Sequence, residues 1–174
     1  DNQVIGRTDV PEITYGFGAN VTWKRFSLSM DWAGAANFDF LKASFTVAPF
    51  FASQIAYALF MDRWHHEDPW DPNSKWIPGY YPSTINAGSS NNNRVSSFWL
   101  LNGTYIRLKA LNIGYSIDMS FLKKLKIQSL RVYLSGQNLL TISKLGPFDP
   151  ENNNGRNNYY PQQKTYNIGL NLIF

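Results

Sequence analysis

Cysteine is absent from the 174-residue sequence, which excludes a disulfide framework and any thiolate metal site. Histidine is nearly as scarce. The two that occur, His65 and His66, are adjacent and are followed by Glu67 and Asp68. Neighbouring side chains rarely converge on one ion, so no metal site is expected there. Charged residues make up only 16% of the chain, and its formal net charge of +4 comes from scattered Lys and Arg without a block of one sign. A nucleic-acid face built as a basic stripe is therefore not expected. Long hydrophobic runs are missing too: the most apolar stretch, residues 43–61, is broken by Pro49 and Gln54 and sits at the lower limit of a spanning helix. No nucleophile elbow and no Gly-rich phosphate loop occurs, so neither an enzyme nor a cofactor is expected. Residues 1–10 are polar and show no leader peptide, so an exported protein with this sequence is expected to be processed or to be a piece of something larger.

Aromatic residues, by contrast, are plentiful at 16%, while mean hydropathy is slightly negative at −0.32. Many rings in a chain that is not oily suit a transmembrane barrel, whose girdles are aromatic and whose strands are polar on one face; a soluble β protein can share that composition. Strict alternation supports strands. Tyr15, Phe17, Ala19, Val21 and Trp23 share one parity, with Gly16, Gly18, Asn20 and Thr22 on the other. After a tight turn at Lys24-Arg25, Phe26, Leu28, Met30 and Trp32 alternate with Ser27, Ser29 and Asp31, which predicts a hairpin. A further strand is predicted over residues 103–117. There the apolar parity jumps between Ala110 and Leu111, which predicts a β-bulge at that step. Leu130, Val132 and Leu134 mark the next strand, and Tyr166, Ile168, Leu170, Leu172 and Phe174 the last.

The connections alternate in length. Lys24-Arg25 is minimal and residues 118–128 are a moderate turn, whereas residues 36–102 and 141–163 are long and rich in Asn, Pro, Gly and Trp. Short turns on one side and long loops on the other are the pattern of an outer-membrane barrel, with the long loops outside and the C-terminus in the periplasm. Within the first loop, residues 49–63 are expected to form a short helix with Phe51, Ile55, Ala58 and Leu59 on one face.

The fold class read from these patterns is all-β: about five C-terminal strands of a large antiparallel transmembrane barrel. Each predicted strand reaches the roughly 9–11 residues that crossing a bilayer needs. Trp23, Trp32, Tyr105, Tyr115 and Tyr166 fall near predicted strand ends, where interfacial rings belong. The alternative is a soluble β-sandwich that buries the same faces and holds glycans by its Trp-rich loops. Five strands cannot close a membrane barrel, because the smallest have about eight and lipid does not tolerate open sheet edges. A barrel containing these strands must be completed by others.

Several ordered segments resemble the closing motifs of SusC/RagA-type TonB-dependent receptors. These are NGTYIRLKALNIGYSI at residues 102–117, LKKLKIQSLRVYLSGQNLLT at 122–141, GPFDPE at 146–151 and YPQQKTYNIGLNLIF at 160–174. DRWHHEDPWDP at residues 62–72 is similar to that family's Arg-Trp loop motif, with His65 and His66 where the family commonly has Thr-Pro. The resemblance implies a barrel of about 22 strands filled by a plug domain, a SusD-like lipoprotein over its outer face, and energy delivered through TonB. It further implies an outer-membrane importer of oligosaccharides or peptides too large for porins. The plug and the TonB-contacting part belong to regions this chain lacks, and Phe174 matches the family's terminal assembly signal.

The candidate functional residues are loop aromatics. Trp64, Trp70, Trp76, Tyr80 and Tyr81 crowd together with Asp71, Asn73 and Asn86. Flat rings bordered by amides and carboxylates suit sugar faces or peptide side chains, and equally suit docking of a lid protein or anchoring of the loop on itself. Arg107, Lys109 and Arg131 fall on the polar parity and are expected to face the lumen, pairing with acidic groups of the plug or loops or shaping the path. The triplets beginning at Asn20 and Asn102 have the glycosylation spacing but lie in or beside strands, and are read as chance.

Overall fold

Alternation in the sequence becomes a five-stranded antiparallel sheet. The computed structural model describes residues 3–42, 47–50, 55–84, 91–117, 126–152, 160 and 162–174. Its chain falls into two compact units, one gathering Asp1–Asp9, Asp39–Leu101 and Glu151–Tyr159, the other Val10–Phe38, Asn102–Pro150 and Tyr160–Phe174.

The second unit holds the sheet. Strands β1 (Ile13–Trp23) and β2 (Phe26–Ala36) form the expected hairpin. Lys24 takes a left-handed φ of 54° in the two-residue turn, and the pair Trp23↔Phe26 flanks it. Four short strands come next in chain order, outside this sheet: β3 (Asp39–Leu41), β4 (His65–His66), β5 (Trp76–Ile77) and β6 (Leu100–Asn102). The long strands resume with β7 (Tyr105–Ile117), β8 (Ser129–Ser143) and β9 (Thr165–Ile173). Sheet order is β1-β2-β7-β8-β9, every pairing antiparallel.

Register keeps like faces together. The row Val21↔Leu28↔Ile113↔Leu134↔Ile168 crosses all five strands on one face, and Asn20↔Ser29↔Asn112↔Ser135↔Asn167 crosses them on the other. The apolar face stays in the open: Phe17 is 57% exposed, Leu134 53% and Ile168 75%. Among the described residues, only Ala35 and Leu108 of the five long strands join the buried hydrophobic set. A sandwich would cover that face, so the alternative of a sheet with its greasy side inward is not met.

The predicted bulge is present but displaced. Trp32 pairs with Leu108 and Asp31 with Ala110, so the extra residue is Lys109, ahead of the Ala110/Leu111 step. Leu108 therefore shares the face of Leu111 and Ile113, while Ala110 crosses to the side of Asp31. Ala110 is small enough to suit either face, and its apolar character misled the parity count. On the other flank, Leu108 pairs with Leu140 and Ala110 with Gln137, and Asn138 between them adopts a φ of 53°.

In the other unit the first long connection is closed at its neck. Strands β3 and β6 pair, and the Lys42 amide donates to the Trp99 carbonyl at 2.9 Å. Of the short helix expected over residues 49–63, the described residues form a 3-10 turn, Ala58–Met61, while Phe50, with a φ of 65°, and the extended Tyr57 lie outside it. Residues 51–54, and most of the 118–128 turn, lie outside the described part. Phe40, Ala48, Phe60 and Trp99 form this unit's buried apolar set.

Candidate functional site

An aromatic cluster organises the loop unit, and it starts from two buried groups. Trp99 is 1% exposed, and its indole N–H donates to the Asn92 carbonyl at 2.8 Å, so a ring that large is buried without stranding its donor. Tyr81 stacks on Trp99 with centroids 6.1 Å apart and planes 19° apart, and meets Phe60 at 5.4 Å. The ammonium of Lys42, a residue only 7% exposed, donates to the Tyr81 hydroxyl at 3.2 Å and lies 5.0 Å from that ring's centroid and 5.8 Å from that of Trp99. Two ring faces and a hydroxyl thus replace water around a buried cation.

A second layer of rings is open to solvent. Tyr80 stacks on Phe98 at 5.3 Å, and Trp76 lies on His66 at 3.9 Å across the β4–β5 pair. Backbone bonds hold this layer in place: Trp64 N donates to Tyr81 O at 2.9 Å, and Tyr80 N to the Asp62 carboxylate at 3.2 Å. Between them runs a groove of about 680 Å³. Trp64, Trp76, Tyr80, Phe98 and Trp99 supply its rings, Pro82 adds an apolar edge, and Ser83, Ser96, Asn91 and Asn92 supply its polar groups.

The loop residues singled out from sequence are thus divided. Trp64, Trp76 and Tyr80 line the groove, whereas Tyr81 is an internal anchor of the loop. Trp70 stands apart at 92% exposure, on a turn where its amide donates to Asp68 at 2.9 Å and Ser74 ties the turn together through the Asp68 and Asp71 carbonyls. Asn86 lies outside the described residues. His65 and His66 spend their Nδ1 atoms on backbone carbonyls of Arg63 and Ser74, and no group of three or more metal-ligating side chains occurs among the described residues. Phe98, Trp99, Asn91, Asn92 and Lys42 were missed. A cluster of Phe-Trp beside an Asn run was the available signal for the first four, and Lys42 carried none.

On the sheet's polar face, Arg131 donates to Ser27 Oγ at 2.7 Å over Gly114, where an added Cβ would fall 2.6 Å from the Arg131 Nε. A larger residue at Gly114 would push the Arg131 guanidinium and the Ser27 hydroxyl from this position. Arg107, 3% exposed, donates from Nη2 to Asp149 Oδ1 at 2.8 Å and from Nε to Thr141 Oγ1 at 2.9 Å. The other Asp149 oxygen accepts from the Gln162 amide at 2.9 Å. Asp149, from the GPFDPE segment, was not picked out, and it ties Gln162, near the end of the second long connection, to Arg107, which itself bonds Thr141 at the start. Lys109 is the bulge residue and not a regular member of the polar rows. Phe174 is 75% exposed beyond the end of β9.

No protein-family model matches the sequence. The chain is similar along its whole length to TonB-dependent receptor P3 of Formosa agariphila, 28% identical over 187 aligned residues that make up 17% of that receptor. TonB-dependent receptor P26 of the same organism is 25% identical over 187 residues, 18% of its length. The solved RagAB peptide importer in its closed-closed state superposes with a TM-score of 0.67 and 29% identity, over 97% of this chain and 18% of that one. The chain spans less than a fifth of the length of the relatives it matches.

Proposed function

We propose that this chain, which is by sequence and fold a segment of a SusC/RagA-like TonB-dependent receptor, serves as part of the barrel wall and outer loops of an outer-membrane importer for bulky nutrients, oligosaccharides or peptides. The observation that carries this reading is the row of exposed apolar side chains held in register over five antiparallel strands of 9 to 15 residues. In water such a face would drive association; against hydrocarbon it is at rest, provided other strands of the same receptor close the barrel. Transport of this kind needs no covalent chemistry from the chain, in keeping with relatives that are receptors and importers.

In this reading the connections over residues 36–102 and 141–163 are extracellular, the short turns are periplasmic, and Phe174 belongs to the signal for barrel assembly. Arg107 and Arg131 face the lumen with Lys109 beside them, and Arg107 fixes the second loop through Asp149. The groove rings and the exposed Trp70 touch the nutrient or a SusD-like lipoprotein over the barrel mouth. A plug domain and a TonB-contacting segment complete the machine from parts of the receptor outside this chain.

Membrane fractionation of the whole receptor tests the proposal. It should stay in the outer-membrane pellet through high salt and alkaline carbonate, enter solution only with detergent, and support growth on its nutrient only in cells with TonB. Recovery in buffer as a soluble monomer would overturn it.

A further inference from the structure

We infer that the aromatic groove of the loop unit is a binding site for neutral glycan, one that stacks pyranose rings on Trp64, Trp76 and Tyr80 and excludes charged ligands. The inference rests on the importer reading and deepens it, choosing one substrate class and one place where it is first held.

Three observations converge. The first is the state of the rings: Trp64 is 45% exposed, Trp76 48% and Tyr80 65%, so each keeps a substantial part of its surface open, with Tyr80 stacked on Phe98 and Trp76 on His66. Rings fixed before the ligand arrives lose little entropy on binding. The second is the polar complement. Ser83, Ser96, Asn91 and Asn92 offer hydroxyls and amides, groups that donate and accept. A sugar presents the same mixture, an apolar C–H face for a ring to cover and hydroxyls at its rim that need both donors and acceptors. The third is charge: the described lining residues include no Lys, Arg, Asp or Glu, and none occurs in the sequence of residues 83–93.

That absence of charge separates the candidates. A uronate or sulfated sugar would be stripped of water here without a cation to meet it, and a peptide's termini and charged side chains would meet no counterion. Two described cations lie nearby: Lys42 is committed beneath Tyr81 and Trp99, and Arg94 donates to the Asn91 side chain at 3.5 Å; neither is part of the lining. At about 680 Å³ the groove is also within the range of roughly 300–1,000 Å³ of small-molecule sites, so it suits a short stretch of a chain and not a folded partner.

The test uses the purified full-length receptor in detergent. Binding is read by tryptophan fluorescence and calorimetry with maltohexaose, cellohexaose and mannohexaose, with hexamannuronate as the acidic match in length, and with a tryptic peptide mixture. At least one neutral hexasaccharide should bind and shift the emission, and hexamannuronate should bind at least about tenfold more weakly. Trp76→Ala and Tyr80→Ala should each weaken the neutral ligand about tenfold or more. Each variant is first shown to keep the wild-type heat-modifiable mobility of a folded barrel, and Trp76→Phe, which keeps a ring, should recover most of the affinity. Binding of peptides or hexamannuronate in preference, no binding of any neutral hexasaccharide, or wild-type affinity in both alanine variants would overturn the inference. Those outcomes leave the importer reading standing, because detergent dependence and TonB-dependent growth are read separately.

Discussion

At the scale of single residues, buried charges in this chain are held by specific partners, and their loss has different consequences. Arg107 and Asp149 have side chains 4% and 5% exposed, 2.8 Å apart, so removing one leaves the other charged and dry. Breaking such a pair costs about 3–5 kcal/mol, whereas replacing both with apolar groups is often nearly neutral. Arg107→Met should therefore speed hydrogen exchange of the 141–152 amides by about 100-fold or more, using about 1.4 kcal/mol per decade. The pair Arg107→Met with Asp149→Leu should return most of the protection. If the single variant exchanges like wild type, Asp149 does not hold the loop. Both partners stand in plain view in the sequence, but nothing in their spacing of 42 residues joins them; only the fold of the loop back to β7 does. Lys42 and Tyr81, 39 residues apart, make the same point inside the aromatic cluster.

At the scale of elements, strand parity and sheet register decide which substitutions matter. Leu134 and Ser135 are neighbours in β8, one in the apolar row with Ile113 and Ile168, the other in the polar row with Asn112 and Asn167. A lipid-facing arginine near the bilayer midplane costs about 2–4 kcal/mol, while lumen positions tolerate polar groups. Leu134→Arg should lower folding stability of the receptor in lipid bilayers by that amount in a urea titration, and Ser135→Arg by much less. Equal losses would mean that the two faces do not see different solvents. The alternation behind this prediction was legible in the sequence because period two is imposed by the backbone itself. The exact place of the bulge was not, because Ala110 suits both faces. The bounds of the short helix expected over residues 49–63 were not legible for a related reason: apolar spacing alone cannot see the positive φ of Phe50, and the described helical turn is confined to Ala58–Met61.

At the scale of the whole molecule, a sheet with two open edges and an uncovered apolar face is an incomplete object in either water or lipid. Its completion by the remaining strands of the receptor is what the proposed function requires. Phe174 is 75% exposed, so little of its side chain packs on the sheet, and the proposed assembly role is tested by its removal. Deleting it should reduce the heat-modifiable, folded receptor in the outer membrane several-fold and leave total synthesis unchanged. Unaltered folded yield would remove its role as an assembly signal.

What the sequence by itself determined is the strand character, the two unlike faces and the uneven connections, since each follows from local period and composition. The tertiary structure alone decided which of the loop aromatics are anchors and which are open, where the extra residue of β7 sits, and that Arg107 meets Asp149. Those outcomes depend on contacts between residues far apart in the chain, and a side chain's chemistry does not state in advance which distant neighbour the backbone will bring to it.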